Sequence, residues 1–268
     1  TPIVDIIYLK RVDKKIFLYP PKTTKKDITS LLKFGAPYQA LKIANLVSTS
    51  TDNIIIAAIL GATSVTIYVF TGKLAFLLAV FLVSVIPSVL FPGFSQLFEQ
   101  KNDKKIKNLY FKLTDLAIRL GLFSGISYFY INETFINLWV GPENYGGDNL
   151  TRLFIIWIIF ESFTRGLTSI IYASADLSGL TFISFCEALL NISLTLIFIQ
   201  SMGLLGVVLG TVLSRLIAVI YIPFKINNVL NIDNTFYLLK IMKIGFGYAI
   251  PMIIMCILLD SWFNDSIN

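Results

Sequence analysis

Nine ionisable side chains stand inside stretches that are otherwise apolar enough to cross a bilayer: Lys42, Asp52, Lys73, Asp115, Arg119, Glu161, Arg165, Glu187 and Arg215. An ionised group near the bilayer centre costs on the order of 2.5–3.5 kcal/mol, so such residues are expected to face a bundle interior or a wet cavity. Two of the acids precede a base by four residues, Asp115 with Arg119 and Glu161 with Arg165. That spacing sets each pair on one helical face in the favourable order and allows local neutralisation. Asp115 and Glu187 also fall within about two turns of an expected interface, where a side chain can snorkel. Lys42, Lys73, Arg165 and Arg215 are the candidates for a cargo-binding cavity, with a plain ion pair or a snorkelling side chain as the alternative for each. Together they would make the cavity basic, and a phosphate that leaves headgroup water needs cationic partners. The chemistry is then non-covalent capture of an anionic group such as a diphosphate. Asp52 and Glu161 are the carboxylates available for ion coupling.

Other chemistry is excluded by composition. The chain has no histidine, so an imidazole base, a His-containing metal site and a Ser-His or Cys-His pair are all ruled out. Cys186 and Cys256 lie in apolar stretches and read as buried thiols acting as small hydrophobes. No catalytic residue, metal ligand or cofactor is assigned.

The elements that must position the charged set follow from hydropathy. Of 268 residues, 56% are hydrophobic and 14% charged, against roughly 25% charged in an ordinary soluble domain. The mean hydropathy is +0.76. A helix crosses the hydrocarbon core with about 20 apolar residues, and that rule places spans at about 31–60, 64–92, 109–132, 151–173, 181–200 and 205–224, with another at 241–259. The fold class is therefore all-α, a polytopic transmembrane helix bundle. Ser201 to Gly206 supplies a tight turn within the long uncharged run from Ala188 to Ser214. Pro87 and Pro92 are expected to kink or end the second span, and Pro251 to kink the last. Gly121-xxx-Gly125 and Gly206-xxx-Gly210 permit close helix approach. The first span carries polar residues from Asn45 to Asn53, a stretch that lipid would not tolerate. Thr1 to Leu9 read as the end of an earlier span, so the chain reads as part of something longer.

Orientation follows from the loops. Residues 10–33 hold eight lysines and arginines and 101–107 hold four lysines, whereas 61–63, 132–149 and 201–206 hold none. Basic loops stay cytoplasmic, and the net charge of +6 is explained by topology and contact with anionic membrane lipids, without nucleic acid.

Several motifs in order then resemble the polysaccharide (O-antigen type) flippases of the multidrug/oligosaccharidyl-lipid/polysaccharide exporter superfamily. They are Phe34-Gly35 with Pro37, the mid-helix Asp52 before an isoleucine run, Leu60-Gly61 before Ile67-Tyr68 and Lys73-Leu74, Phe135 to Gly141, and Gly203 to Val207. The resemblance covers about residues 28–225. It implies a two-lobe exporter of which this chain is the C-terminal half, with three parts. Residues 1–30 would end a preceding helix and form a cytoplasmic linker, 31–224 a six-helix lobe, and 225–268 a connection and one further helix. It also implies a multi-pass protein of the cell membrane that is not an enzyme and has the missing N-terminal lobe as partner. The activity implied is translocation of a polyprenyl-diphosphate-linked, anionic oligosaccharide by alternating access. The alternatives are a cation-coupled multidrug exporter of the same superfamily and, from another class, an integral membrane enzyme of cell-wall assembly.

Overall fold

The computed structural model describes residues 24–174 and 177–267. The expected span end at 1–9 and most of the basic 10–33 segment lie outside the described residues. Within them the chain is helices joined by short connections: α1 (Lys25–Leu60), α2 (Ala62–Phe76), α3 (Val83–Glu99), α4 (Asp103–Trp139), α5 (Asp148–Ala173), α6 (Ser178–Met202), α7 (Leu204–Leu230) and α8 (Asn234–Ile267). A π-helical turn, Leu77–Leu82, joins α2 to α3 without a break in the helical rod. Lipid offers no partner for backbone N–H and C=O groups, so a chain this apolar satisfies them within helices.

Among the described residues, four stretches are long and apolar enough to cross a membrane: Ala62–Val80, Asp148–Ala173, Gly179–Met202 and Leu204–Leu230. The remaining expected spans lie inside helices of 36, 37 and 34 residues, α1, α4 and α8, whose polar and charged residues dilute their apolar character. The second expected span does not end at Pro92: the helix continues to Glu99, and its irregular turn lies at Leu77–Leu82, before both prolines. The third outruns its expected end by two turns, to Trp139. Its start is fixed by Asn102, whose side-chain oxygen accepts the Lys105 N–H at 3.2 Å.

Glycine decides how closely the helices approach. α6 ends and α7 begins at Gly203, whose φ of 57° no ordinary side chain adopts readily. Three residues on, a Cβ at Gly206 would fall on the backbone of Phe198, and one at Gly210 would lie 2.9 Å from the backbone nitrogen of Thr195. The Gly206-xxx-Gly210 ridge thus lets α7 lie directly on α6. Gly121 and Gly125 do the same for α4, against Ile159 and Ile155 of α5. Both small-residue spacings are used as the sequence predicts.

α5 is the central helix. It packs on α4, α7 and α3, and two apolar clusters meet along it. One gathers Phe163, Leu167 and Ile170 of α5 with Tyr110, Leu113, Ile222, Ile226 and Tyr237. The other gathers Phe154, Trp157 and Ile158 with Ile56, Tyr68, Tyr128, Val208 and Val212. Outside these clusters large apolar side chains face outward on most helices: Leu189, Ile197, Ile220, Leu239 and Phe246 are all at least 60% exposed. Water would make so extensive an apolar exterior untenable, and the bilayer makes it the favoured one. The chain is an all-α polytopic membrane protein.

Candidate functional site

A cavity of 490 Å³ opens beside α5 against the cluster of Phe154 and Trp157. On α5 and α7 the lining residues form one stripe at helical spacing. α5 contributes Phe154, Trp157, Glu161 and Arg165; α7 contributes Val208, Thr211 and Arg215; α6 contributes Ser184 and Glu187. α1 supplies Lys42, Leu46 and Asp52, and α2 with the π-helical turn supplies Tyr68, Phe76 and Val80. Five of the six residues singled out from the sequence, Lys42, Asp52, Glu161, Arg165 and Arg215, therefore meet at one cavity.

Lys73 is the exception. It lies on the face that α2 turns outward with Thr66 and Leu77, whereas Thr71, Gly72 and Ala75 pack inward. The spacing 66, 73, 77 keeps one helical face together, and that face is turned away from the cavity.

The cavity is not basic as the sequence predicts. Three cations, Lys42, Arg165 and Arg215, face three carboxylates, Asp52, Glu161 and Glu187. Most of that charge is already paired. Glu161 is 1% exposed and holds two guanidinium groups, Arg165 on one carboxylate oxygen and Arg215 on the other. Arg215 then reaches Glu187 at 3.0 Å. Glu187, which the sequence allows to snorkel, is the tenth residue of α6 and is paired with Arg215. The Asp115–Arg119 pair on α4 is likewise formed, and Arg119 lies 4.5 Å over the Tyr248 ring of α8. It is apart from the cavity and ties the last helix to the bundle.

Asp52 has a different environment. It is 4% exposed. The Tyr68 hydroxyl donates to its Oδ2 at 3.4 Å, and Thr211 Oγ1 lies 3.2 Å from the same oxygen. Asn191 supports Thr211 by donating to its hydroxyl at 3.0 Å. The other carboxylate oxygen, Oδ1, is buried with no hydrogen-bond partner among the described residues, as are Asn191 Oδ1 and Thr195 Oγ1. Buried acceptors of this kind are costly to leave unmade.

Sequence reasoning missed two parts of the site. The aromatic wall, Tyr68, Phe76, Phe154 and Trp157, has ring centroids 4.7 to 6.5 Å apart where neighbours meet, and nothing separates these rings from other core aromatics in the sequence. The Glu187–Arg215 pair did carry a signal. With the chain folded back at Gly203, Asn191 meets Thr211, and four residues further along each helix Glu187 faces Arg215.

The chain matches the polysaccharide biosynthesis protein family over residues 6–144, just over half of its length. It belongs to that family. No curated protein and no solved structure matches the chain. With the helical architecture, the family makes this a multi-pass membrane protein of polysaccharide biosynthesis. The matched stretch contains Lys42, Asp52 and Lys73 and stops before Glu161, Arg165, Glu187 and Arg215, so the ion-paired half of the cavity is read from its own geometry.

Proposed function

We propose that this protein is a flippase that moves a polyprenyl-diphosphate-linked oligosaccharide across the cell membrane, by alternating access of two helical lobes. The observation that carries the reading is the 490 Å³ cavity inside an apolar bundle, lined by the cations Lys42 and Arg165 together with the aromatic rings of Tyr68, Phe76, Phe154 and Trp157. Cations give a diphosphate the partners it loses on leaving water, and aromatic faces offer an apolar body against which sugar rings can lie. No step requires covalent chemistry, so no catalytic residue is assigned and the protein is not an enzyme. Residues 31–224 form the lobe, 225–268 the connection and one further helix, and the missing N-terminal lobe faces the cavity side. Membrane lipids cover the remaining apolar exterior.

Of the two candidate coupling carboxylates, Asp52 suits the role better. Both Glu161 oxygens are taken by guanidinium groups, whereas Asp52 keeps one oxygen without a partner among the described residues. A proton or cation taken up at Asp52 neutralises a charge that Tyr68 and Thr211 only partly compensate, and its arrival and loss supply a two-state element for coupling. A buried carboxylate on the cavity is also what a cation-coupled multidrug exporter would need, and that is the second reading. The family's place in polysaccharide biosynthesis favours the first.

The deciding experiment places the complete gene in a strain that lacks its flippase and measures surface glycan. Restored glycan that falls when Lys42 and Arg165 are changed to glutamine is the expected result. Undiminished glycan in both variants, with normal protein levels, overturns the reading.

A further inference from the structure

We infer that Arg165 is the one arginine of the cavity that touches the anionic group of the cargo, and that Arg215 is a positioning residue which contacts nothing that enters. The inference rests on the transport reading above and names its recognition chemistry: a planar fork gripping two oxygens of a phosphate.

The two guanidinium groups are occupied differently. Arg215 is 17% exposed and gives one terminal nitrogen to Glu161 and the other to Glu187. Both terminal nitrogens are thus committed to carboxylates, and its Nε is buried with no hydrogen-bond partner among the described residues. Arg165 is 40% exposed and is held through Nε alone, by Glu161. Its two terminal nitrogens have no protein partner among the described residues, and the side chain lines the cavity. An arginine anchored by Nε presents an aligned pair of donors, the geometry that matches a phosphate or carboxylate bidentately and that lysine cannot reproduce.

Arg215 explains why that fork stays open. A carboxylate beside an arginine gains most by engaging it bidentately, so Glu161 alone would close on the Arg165 tip and compete with any incoming anion. Arg215 takes the second Glu161 oxygen and leaves only the first for Arg165 Nε. The sequence Glu187–Arg215–Glu161–Arg165 is thus a relay of fixed charges that ends in an unspent donor pair. The buried charges of the relay are paired, although Arg215 Nε has no partner among the described residues, and Arg165 lines the space where cargo would lie.

The test measures binding to the purified full protein in detergent, with farnesyl diphosphate, inorganic pyrophosphate and neutral farnesol as probes. Farnesyl diphosphate should bind, farnesol should not, and Arg165→Lys should weaken the diphosphate by about tenfold, the loss of one charge-assisted contact. Arg215→Gln should weaken it too by freeing Glu161, and adding Glu161→Gln should restore affinity, a rescue that a merely structural role would not give. If Arg215→Gln does not fold, the Glu161→Gln/Arg215→Gln pair is compared with the same pair carrying Arg165→Lys, and only the latter should lose affinity. Wild-type affinity in Arg165→Lys, or no rescue by Glu161→Gln, overturns the inference and leaves the transport reading standing. Farnesol binding as tightly as the diphosphate overturns the transport reading instead. Pyrophosphate binding as tightly as farnesyl diphosphate, and with the same loss in Arg165→Lys, supports the Arg165 assignment and overturns a lipid cargo.

Discussion

At the scale of single residues, the ion-paired chain through Glu161 makes stability and cargo recognition separable. Removing one member of a buried ion pair leaves the partner charge uncompensated, typically at a cost of about 3–5 kcal/mol. Arg215→Leu strands Glu187 and leaves the buried Glu161 with Arg165 alone, and it should lower the melting temperature in detergent by more than any other single substitution on the cavity. Arg165→Leu should lower it far less, because the Arg165 side chain is 40% exposed and Glu161 retains Arg215. Equal losses in the two variants would contradict the ranking. Asp52→Asn keeps a side chain that can accept from Tyr68 and Thr211 but carries no charge. It should leave the fold intact and remove any dependence of transport on a Na⁺ or H⁺ gradient, measured in reconstituted vesicles. Five of the six singled-out residues were legible from the sequence because a charge in an apolar stretch has few places to go. What stayed hidden was their pairing. The i,i+4 partners Glu161 and Arg165 could be read from spacing alone, but the second bond of Glu161, to Arg215, spans 54 residues and depends on how α5 and α7 pack.

At the scale of elements, glycine contacts set the shape of the cavity wall. Glu187 and Arg215 face each other because α6 and α7 run back to back from Gly203, and that approach depends on the bare Cα of Gly206 against Phe198. Gly206→Val would force the helices apart at the closed end of the hairpin. Overpacking of this kind costs typically about 1–3 kcal/mol, and the displaced register should also weaken the Glu187–Arg215 pair. A lowered melting temperature with reduced diphosphate binding is the expected outcome. Gly247→Ala is the control: nothing lies within 4 Å of its added Cβ, and a helix interior gains up to about 1 kcal/mol when glycine becomes alanine. The element boundaries show what hydropathy can and cannot read. The hairpin at Gly203 was legible because only a turn divides an uncharged run of that length. The extension of α4 to Trp139 was not, because residues 133–139 are held by packing outside the apolar stretch, with Ile136 buried and Trp139 set against Phe70 and Phe135. The π-helical turn at Leu77–Leu82 has no proline or glycine within it, so its sequence gave no sign of the irregularity.

At the scale of the whole molecule, the connections divide into two groups that differ in charge. Lys107 reaches the backbone oxygen of Asn231 at 3.5 Å, which places the α3–α4 and α7–α8 connections at the same end of the bundle. Phe98, Ser174 and Lys225 line one small recess there, so the end of α5 joins them. That end carries Lys101, Lys104, Lys105, Lys107 and Lys225. The opposite turns, at Gly61, Gly141 to Gly147 and Gly203, hold no lysine or arginine, and the middle one is pinned inward by the Gly146 N–H, which donates to Thr71 Oγ1 at 2.8 Å. Lysine and arginine in short loops resist translocation and decide which end remains in the cytoplasm. Single cysteines placed in a background with Cys186 and Cys256 replaced should therefore react with a membrane-impermeant thiol reagent in intact cells at positions 144 and 201. A cysteine at position 104 should react only after the membrane is permeabilised. The same orientation puts Arg165, two turns from the end of α5, nearer the lysine-rich end than Trp157 and Phe154. A diphosphate captured from the cytoplasmic leaflet would then meet the guanidinium fork before its sugars meet the aromatic wall. Labelling of position 104 from outside would reverse that order of contact and, with it, the direction of transport.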